Sequence, residues 1–308
     1  MSVLNYINWN ADPEIVNILG YSLRYYSLLF VGGVLAGAFI IFRILRREGV
    51  SEDNLVLLEI YGLLGIVFGA RLGHCLFYEP LYYLQNPLEM LLPIRQLPQG
   101  GWQFTGYHGL ASHGGAIGLL FVVWLYARRT KQSYFHTIDL VAMVTPLTGV
   151  FIRTANLMNS EIIGSPTEVP WAFIFERVDM IPRHPTQIYE ALCYLTIFLC
   201  AFGLYRRFGR RLRDGFYLGF SITLIFSARF ILEFIKEKQV EFEEGMTFDM
   251  GQWLSVPFIV LGIGLLIWTL RQGIAPVAPE PAPASNNAPA ANNAPASSNQ
   301  KKKSNHKR

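Results

Sequence analysis

The residues of this chain best suited to chemistry lie in residues 149–164, where an apolar run ends in polar and charged side chains. Arg153, Asn156, Asn159 and Glu161 follow one another there, and a charged side chain at membrane depth is costly enough to suggest a function. Arg has the planar shape that holds a phosphate through two hydrogen bonds. At 100° per residue, Arg153, Asn156 and Glu161 would share an arc of roughly 140° on one helix face. The alternative is a helix end at the membrane interface, with Arg153 reaching the headgroups and Glu161 in water.

Three further groups could act with Arg153. Arg229 and Glu233 lie four residues apart inside an apolar run, so we expect them to share a helix face and to pair. His113 falls in the first turn of a predicted helix, whose N-terminus disfavours added positive charge and would keep the imidazole able to accept a proton. A plain interfacial histidine is the alternative for His113.

The segment RHPTQIYEA, residues 183–191, predicts a helix start. Pro185 suits the first helical position, and Gln187 is placed to bond back to the cap. A capped helix alone does not account for Arg183, His184, Tyr189 and Glu190, and of these we keep His184 as a site candidate. Tyr26, at the outer end of the first apolar run, is on its own best explained as an ordinary interfacial anchor.

The elements that must position these residues are membrane helices. With 52% hydrophobic and 16% charged residues, the chain is more apolar than a soluble domain. We predict an all-α polytopic membrane protein with seven transmembrane helices, since seven apolar runs are long enough for a bilayer core of ~30 Å. These spans are residues 21–42, 54–78, 110–127, 136–157, 187–205, 215–235 and 252–270.

Lys and Arg residues indicate the orientation, because positively charged short loops stay in the cytoplasm. They cluster after spans one, three, five and seven and in the C-terminal tail. This places the N-terminus outside and the C-terminus in the cytoplasm. The net charge of +4 thus follows from orientation and tail, and nothing points to a nucleic acid partner.

Two domains are expected from composition. Residues 1–274 would form the transmembrane domain. Residues 275–308 are rich in Ala, Pro and Asn and end in a basic run, which predicts a disordered cytoplasmic tail whose cations contact anionic membrane lipid. Within the first domain, glycines at four-residue spacing in spans two and three predict close helix packing.

The candidate residues all belong to the external half of the predicted membrane domain. Two arginines, a candidate base and several hydrogen-bonding groups would face one cavity open to lipid. That arrangement suits an anionic phospholipid headgroup, because arginines can hold the phosphate and stabilise charge on a phosphate leaving group.

Five motifs, in order, resemble those of the phosphatidylglycerol–prolipoprotein diacylglyceryl transferase family. The resemblance extends to about residue 270. The motifs are RxxNxxNxExxG from Arg153 to Gly164, SHGG with His113, HPTQxYE from His184 to Glu190, RFxxEF with Arg229 and Glu233, and MGQxLSxP from Met250.

The resemblance implies a multi-pass enzyme of the bacterial cytoplasmic (inner) membrane that needs no cofactor. It would transfer a diacylglyceryl group from phosphatidylglycerol to the lipobox cysteine of a prolipoprotein signal peptide and release glycerol phosphate. It also implies that Arg153 binds phosphatidylglycerol, that Arg229 is essential and that His113 is the base. Tyr26 would matter too. With Arg153, the candidate substrate-binding residues are Tyr26, Asn156, Glu161, His184 and Glu233.

The chain departs from the family pattern at four places, namely Ser112, His108, His74 and Ile225. Many members carry Tyr at the position of Ile225, so no role of that tyrosine can be carried over. Two other classes of function compete with the transferase: a transporter, since buried charges also mark substrate pathways, and a lipid-binding membrane protein without catalysis. The crowding of polar groups in the outer half and the lack of an inverted repeat in the sequence argue against a transporter.

Overall fold

A computed structural model describes residues 6–18, 21–92, 94–97, 99–104, 109–238 and 247–275. His108 and the predicted tail from residue 276 onward lie outside these ranges.

Nine α-helices run through the described residues. They are α1 Tyr25–Arg47, α2 Glu52–Phe77, α3 Pro80–Gln85, α4 Pro87–Leu91, α5 Ser112–Thr130, α6 Tyr134–Met158, α7 Thr186–Phe208, α8 Phe216–Leu232 and α9 Met250–Arg271. Two 3-10 turns, Gly209–Arg211 and Glu233–Ile235, extend α7 and α8.

Six helices, α1, α2, α6, α7, α8 and α9, are long and apolar enough to cross a membrane. This confirms a mainly helical, multi-pass membrane protein. The third predicted span coincides with α5, whose 19 residues include His113, Arg128 and Arg129. Because α5 is not among the six, the count of seven stays a prediction.

Short strands lie before and between the helices, in segments that the sequence predicted as external, except that the strand Tyr21–Arg24 occupies the start of the predicted span 21–42, whose helix begins only at Tyr25. They are β1 Ile7–Trp9, β2 Glu14–Ile18, β3 Tyr21–Arg24, β4 Ile94–Gln96, β5 Trp102–Phe104, β6 Phe173–Phe175 and β7 Pro182–Arg183. β2–β3 and β4–β5 are antiparallel hairpins, while β6 pairs in parallel with β1 and antiparallel with β7.

The β1–β6–β7 sheet covers the end of α6. Trp9 in β1 donates its indole N–H to the carbonyl of Leu157 at 2.9 Å. Phe173 and Phe175 of β6 pack with Ile163 beneath it. The sheet thereby holds the chain on both sides of the RxxNxxNxExxG motif.

Glycines let helices approach closely, as predicted. In the α2–α5 pair, a Cβ on Gly69 would lie 2.5 Å from the carbonyl oxygen of Gly114, and one on Gly118 would overlap the carbonyl oxygen of Gly65. In the α1–α6 pair, Thr148 donates to the carbonyl of Gly33 at 3.2 Å. The backbones therefore touch along these two pairs.

Helix α6 is the central element, since it packs against α1, α7 and α8. Near its start, the carboxylate of Asp139 accepts the backbone N–H groups of Gly215 and Leu218, both at 2.8 Å. Asp139 therefore satisfies free N–H groups at the start of α8. This contact and the apolar core around Leu140 and Met143 hold α6 in the bundle. They thereby set the position of Arg153 near the other end of the helix.

Arg71 in α2 has a structural role. It is 6% exposed and donates to the carbonyls of Glu89 and Met90 at 2.6 and 3.3 Å. It therefore ties the α3–α4 segment to the bundle.

Candidate active site

A left-handed turn after α6 shapes the central motif. Helix α6 ends at Met158, and Ser160 and Ile162 then take φ values of 55° and 58°, a region that L-residues enter only at a cost. The turn brings the backbone N–H of Glu161 within 3.0 Å of the carbonyl of Asn156.

The turn also folds the Glu161 side chain back toward α6. Its carboxylate accepts hydrogen bonds from the amides of Asn156 at 3.2 Å and Asn159 at 2.9 Å. The prediction that Arg153, Asn156 and Glu161 share one helix face was wrong for Glu161, because the helix ends before it. The three side chains are neighbours all the same.

Arg153 is held by two partners. Its side chain is 13% exposed, and its Nε lies 2.6 Å from Oε2 of Glu190 on α7, an ion pair without the alignment of a hydrogen bond. Nη1 donates to Oδ1 of Asn156 at 3.0 Å. The guanidinium is therefore fixed between α6 and α7.

Glu190 links Arg153 to a second cation that the sequence analysis missed. Its side chain is fully buried, and Oε1 lies 2.9 Å from Nζ of Lys236, which is itself 5% exposed. Lys236 also contacts Oε2 of Glu233 at 2.9 Å. Lys236 directly follows the predicted span 215–235, and its spacing of three residues from Glu233 was the signal available in the sequence.

Glu233 does not pair with Arg229, contrary to the prediction. The backbone N–H of Glu233 still bonds to the carbonyl of Arg229, four residues earlier, but the Glu233 carboxylate accepts a hydrogen bond from Lys236 at 2.9 Å instead. Gly251 at the start of α9 leaves room for the displaced carboxylate, since a Cβ there would lie 2.6 Å from its carboxyl carbon.

Arg153 and Arg229 both lie near Tyr194 on α7, close enough to act electrostatically on its hydroxyl. Arg229 has no carboxylate partner in the described ranges, and its Nε is buried without a hydrogen bond there. Tyr26 on α1 is half-buried and lies within electrostatic range of Arg153.

His184 lies just before α7. Its Nδ1 is 3.2 Å from the hydroxyl of Tyr189, which accepts the indole N–H of Trp171 at 2.7 Å. Burial lowers the pKa of His184 below its ordinary value and so favours the neutral imidazole.

The predicted cap at the start of α7 was wrong. The helix begins at Thr186, with Pro185 before it and no side-chain cap. Gln187 instead donates to the carbonyl of Glu161 at 2.7 Å, and Thr186 donates to the carbonyl of Ile162 at 2.8 Å. The first turn of α7 thus holds the strained turn in place.

His113 is not joined to this cluster by any contact that the structure describes. It is exposed in the first turn of α5, and its ring makes no hydrogen bond or ion pair within the described ranges. The neighbouring His108 lies outside them. The role of His113 as base stays a prediction.

Arg183 secures the loop that leads into α7. It is 7% exposed, and it donates to the carboxylates of Asp179 at 2.6 Å and Glu237 at 2.5 Å and to the carbonyl of Gly164 at 3.2 Å. Among these contacts, the hydrogen bond from Arg183 to the Asp179 carboxylate is the main reason why the pKa of Asp179 is lowered.

The cluster is suited to binding an anion. Glu190 and Glu233 pair with Arg153 and Lys236, which leaves Arg229 as a half-buried cation able to take a phosphate oxygen. In the described residues, no group of three or more His, Cys, Asp or Glu side chains is placed to hold a metal ion.

Comparison with known proteins identifies a close set of relatives. Residues 13–268 match the family described as prolipoprotein diacylglyceryl transferase. A phosphatidylglycerol–prolipoprotein diacylglyceryl transferase of Bacteroides fragilis is 52% identical over 83% of this chain and 93% of its own length. Proteins of the same name from Tolumonas auensis and Porphyromonas gingivalis are 42% and 39% identical over 86% and 89% of this chain and 98% of their own lengths.

Proposed function

The chain belongs to the prolipoprotein diacylglyceryl transferase family, and from this membership we propose how its residues carry out the reaction. The enzyme transfers the diacylglyceryl group of phosphatidylglycerol to the lipobox cysteine of a prolipoprotein. The product is a thioether, and glycerol phosphate is released.

A thioether product dictates which bonds change. The cysteine sulfur forms a bond to the glyceryl carbon, and the bond between that carbon and the phosphate oxygen breaks. Glycerol phosphate therefore leaves with the oxygen and the electron pair. The thiolate is the nucleophile, so the thiol proton must pass to a base.

Arg153 and Arg229 are the residues we assign to the phosphate. The observation that carries this assignment is that both guanidinium groups lie within electrostatic range of Tyr194, while Arg229, half-buried with its Nε shielded from solvent, has no carboxylate partner within the described chain. In a site away from water, two guanidinium groups would stabilise the charge that develops on the departing phosphate.

The remaining candidates support this pair. Asn156 orients Arg153, and Glu161 holds Asn156 in turn. Glu233 anchors Lys236. Tyr26 and His184 would contact the substrate from the two sides, and His113 would take the thiol proton.

The arrangement in the membrane forms part of the proposal. We place α5 across the bilayer as a seventh span, with the N-terminus outside and the C-terminus in the cytoplasm of a bacterial cell. The cluster around Arg153 then opens to the outer half of the inner membrane. Signal peptides that cross this membrane would present their cysteine on that side.

Purified protein incubated with phosphatidylglycerol and a lipobox peptide tests the function. We expect mass spectrometry to detect the peptide carrying a diacylglyceryl group. The Arg153→Ala and Arg229→Ala variants should lose this product. The matched control is Arg24→Ala, which removes an exposed arginine whose only ion pair among the described residues is to Glu14 at 3.4 Å. An inert wild-type mixture would favour a transporter or a non-catalytic lipid-binding protein.

The base is tested by the pH dependence of a His113→Gln variant. We expect its activity to fall and to recover partly as the pH rises toward the ordinary thiol pKa of about 8.5, since the thiol then ionises unaided. A loss of the same size at every pH would assign His113 a structural role.

A further inference from the structure

A cavity lies far from the Arg153 cluster, between the C-terminal ends of α1 and α7. Its volume is about 470 Å³, and its lining consists of Ile40, Arg43, Ile44, Arg47, Glu48, Phe202, Tyr205 and Arg206. Tyr26 and Glu190, near the other ends of these helices, belong to the active site. At 1.5 Å per residue, Tyr26 and Arg47 are about 30 Å apart along α1, so the cavity faces the opposite leaflet.

Three arginines in this cavity have no partner of their own. Arg43, Arg47 and Arg206 are exposed, and none of them makes a hydrogen bond or ion pair with any described residue. Their guanidinium groups are therefore available to an external anion.

The single carboxylate in the lining is already engaged. Glu48 accepts a hydrogen bond from the hydroxyl of Tyr205 at 2.6 Å and lies 2.8 Å from Nε2 of His136. Its side chain is 21% exposed. Both carboxylate oxygens thus have partners other than the arginines, and the cavity keeps an excess of positive charge.

Orientation alone does not explain this clustering. Arginines gather at cytoplasmic helix ends in general, but others in this chain find partners within it. Arg46 pairs with Glu52 at 2.8 Å, and Arg128 stacks over the ring of Trp124 at 4.7 Å. Other arginines without an ion pair in the described chain, such as Arg129 and Arg271, do not line this cavity, whereas Arg43, Arg47 and Arg206 all do.

The apolar side of the cavity distinguishes a lipid from a soluble anion. Ile40, Ile44 and Phe202 continue from the arginines toward the membrane interior along α1 and α7. A free phosphate would gain nothing from them, whereas acyl chains would cover them while the headgroup met the guanidinium groups. Basic pockets between membrane helices are suited to anionic headgroups.

We propose that this cavity binds an anionic phospholipid of the leaflet opposite the active site, with Arg43, Arg47 and Arg206 on its phosphate and Ile40, Ile44 and Phe202 against its chains. The site is separate from the one that binds the lipid substrate. It would fasten the far ends of α1 and α7, whose near ends carry Tyr26 and Glu190.

A photoreactive anionic phospholipid tests the proposal in the full-length protein. After irradiation in mixed vesicles, we expect cross-linked peptides from residues 40–48 and 202–206. The triple variant Arg43→Gln, Arg47→Gln, Arg206→Gln should lower labelling of these peptides at least fivefold. The control triple variant Arg128→Gln, Arg129→Gln, Arg271→Gln removes the same charge from the ends of α5 and α9. It should be labelled in these peptides as strongly as the wild type.

Two competitors separate the sources of phosphate. An unlabelled anionic phospholipid should displace the probe, while inorganic phosphate at the same concentration should not. Equal labelling by a zwitterionic photoreactive phospholipid, or displacement by inorganic phosphate, would overturn the proposal. Labelling by a probe at Tyr26 and Arg153 reports the substrate site separately, so loss of transferase activity would not affect this result.

Discussion

Glu190 is the residue on which the charge arrangement depends. It is fully buried, and each of its carboxylate oxygens meets a different cation, Arg153 on one side and Lys236 on the other. A buried charge is tolerated only when it is paired. Removing this carboxylate would therefore leave Arg153 without a carboxylate partner and Lys236 with Glu233 alone.

We expect Glu190→Gln to be severe, although it preserves the shape of the side chain. Breaking a buried ion pair from one side costs roughly 3–5 kcal/mol, and Arg153 would lose its anchor. Transferase activity should fall at least 100-fold, and the melting temperature in detergent should drop. Glu168→Gln, at an exposed residue without ion pairs in the described chain, is the control. Unchanged activity in Glu190→Gln would remove it from the positioning of Arg153.

The sequence predicted some of these residues better than others. Arg153 and Arg229 were recognisable because charge inside an apolar run is unusual. Lys236 was not, since it follows the end of the run and looks like an ordinary loop lysine. Its burial depends on Glu190, which is 46 positions earlier and reaches it only in the folded bundle.

The turn between α6 and the loop before α7 is the element that shapes the site. Gly164 ends it, and a Cβ at Gly164 would lie 2.5 Å from the carbonyl oxygen of His184 and 2.9 Å from that of Ile235. Both neighbours are backbone atoms, which cannot move aside as a flexible side chain does. A side chain at this position would push the turn away from α7.

Gly164→Ala should therefore destabilise the protein. Overpacking of this kind costs about 1–3 kcal/mol, and transferase activity should fall with the displacement of Glu161. Gly203→Ala is the matched control, because it lies in α7 with no atom within 4 Å of the added carbon, where alanine favours the helix by up to ~1 kcal/mol. Thermal melting of the two variants should move in opposite directions; equal melting temperatures would contradict the close contact.

The loop that carries Arg183 gives stability a pH dependence. Its hydrogen bonds lower the pKa of Asp179, so this contribution is complete above the unfolded pKa and is lost as the pH falls through the folded pKa. We expect the free energy of unfolding to decline as the pH drops from about 4 downward. The change should be of order 1 kcal/mol, because Asp179 is 27% exposed and screened by solvent.

Melting curves between neutral and acidic pH would check this. In Asp179→Asn the acid-dependent decline should be smaller, whereas Asp12→Asn, at a carboxylate 75% exposed, should resemble the wild type. A decline of the same size in Asp179→Asn would assign the effect to other carboxylates.

Helices were predictable from sequence to within a few residues, as with span 136–157 against α6 at Tyr134–Met158. Their apolar content and length determine them directly. The strands were missed, because segments of two to five residues show no usable alternation. The left-handed turn was missed too, since Ser160 and Ile162 are not residues that normally mark one.

The arrangement of the whole molecule depends on whether α5 crosses the membrane. Seven crossings put the two ends of the chain on opposite sides, and six put them on the same side. We expect a fluorescent protein fused after residue 275 to fluoresce, which requires the cytoplasm, and alkaline phosphatase joined before residue 6 to be active outside. Both reporters on one side would exclude the seventh span.

The contact between the backbones of α2 and α5 limits where a lipid can enter the helix bundle. A phospholipid has two acyl chains, and no chain can pass between helices that leave no room for a single methyl group at Gly69 or Gly118. The interface between α2 and α5 is therefore closed to lipid. Lipid must therefore reach Arg153, and the lipidated protein must leave, along another flank of the bundle.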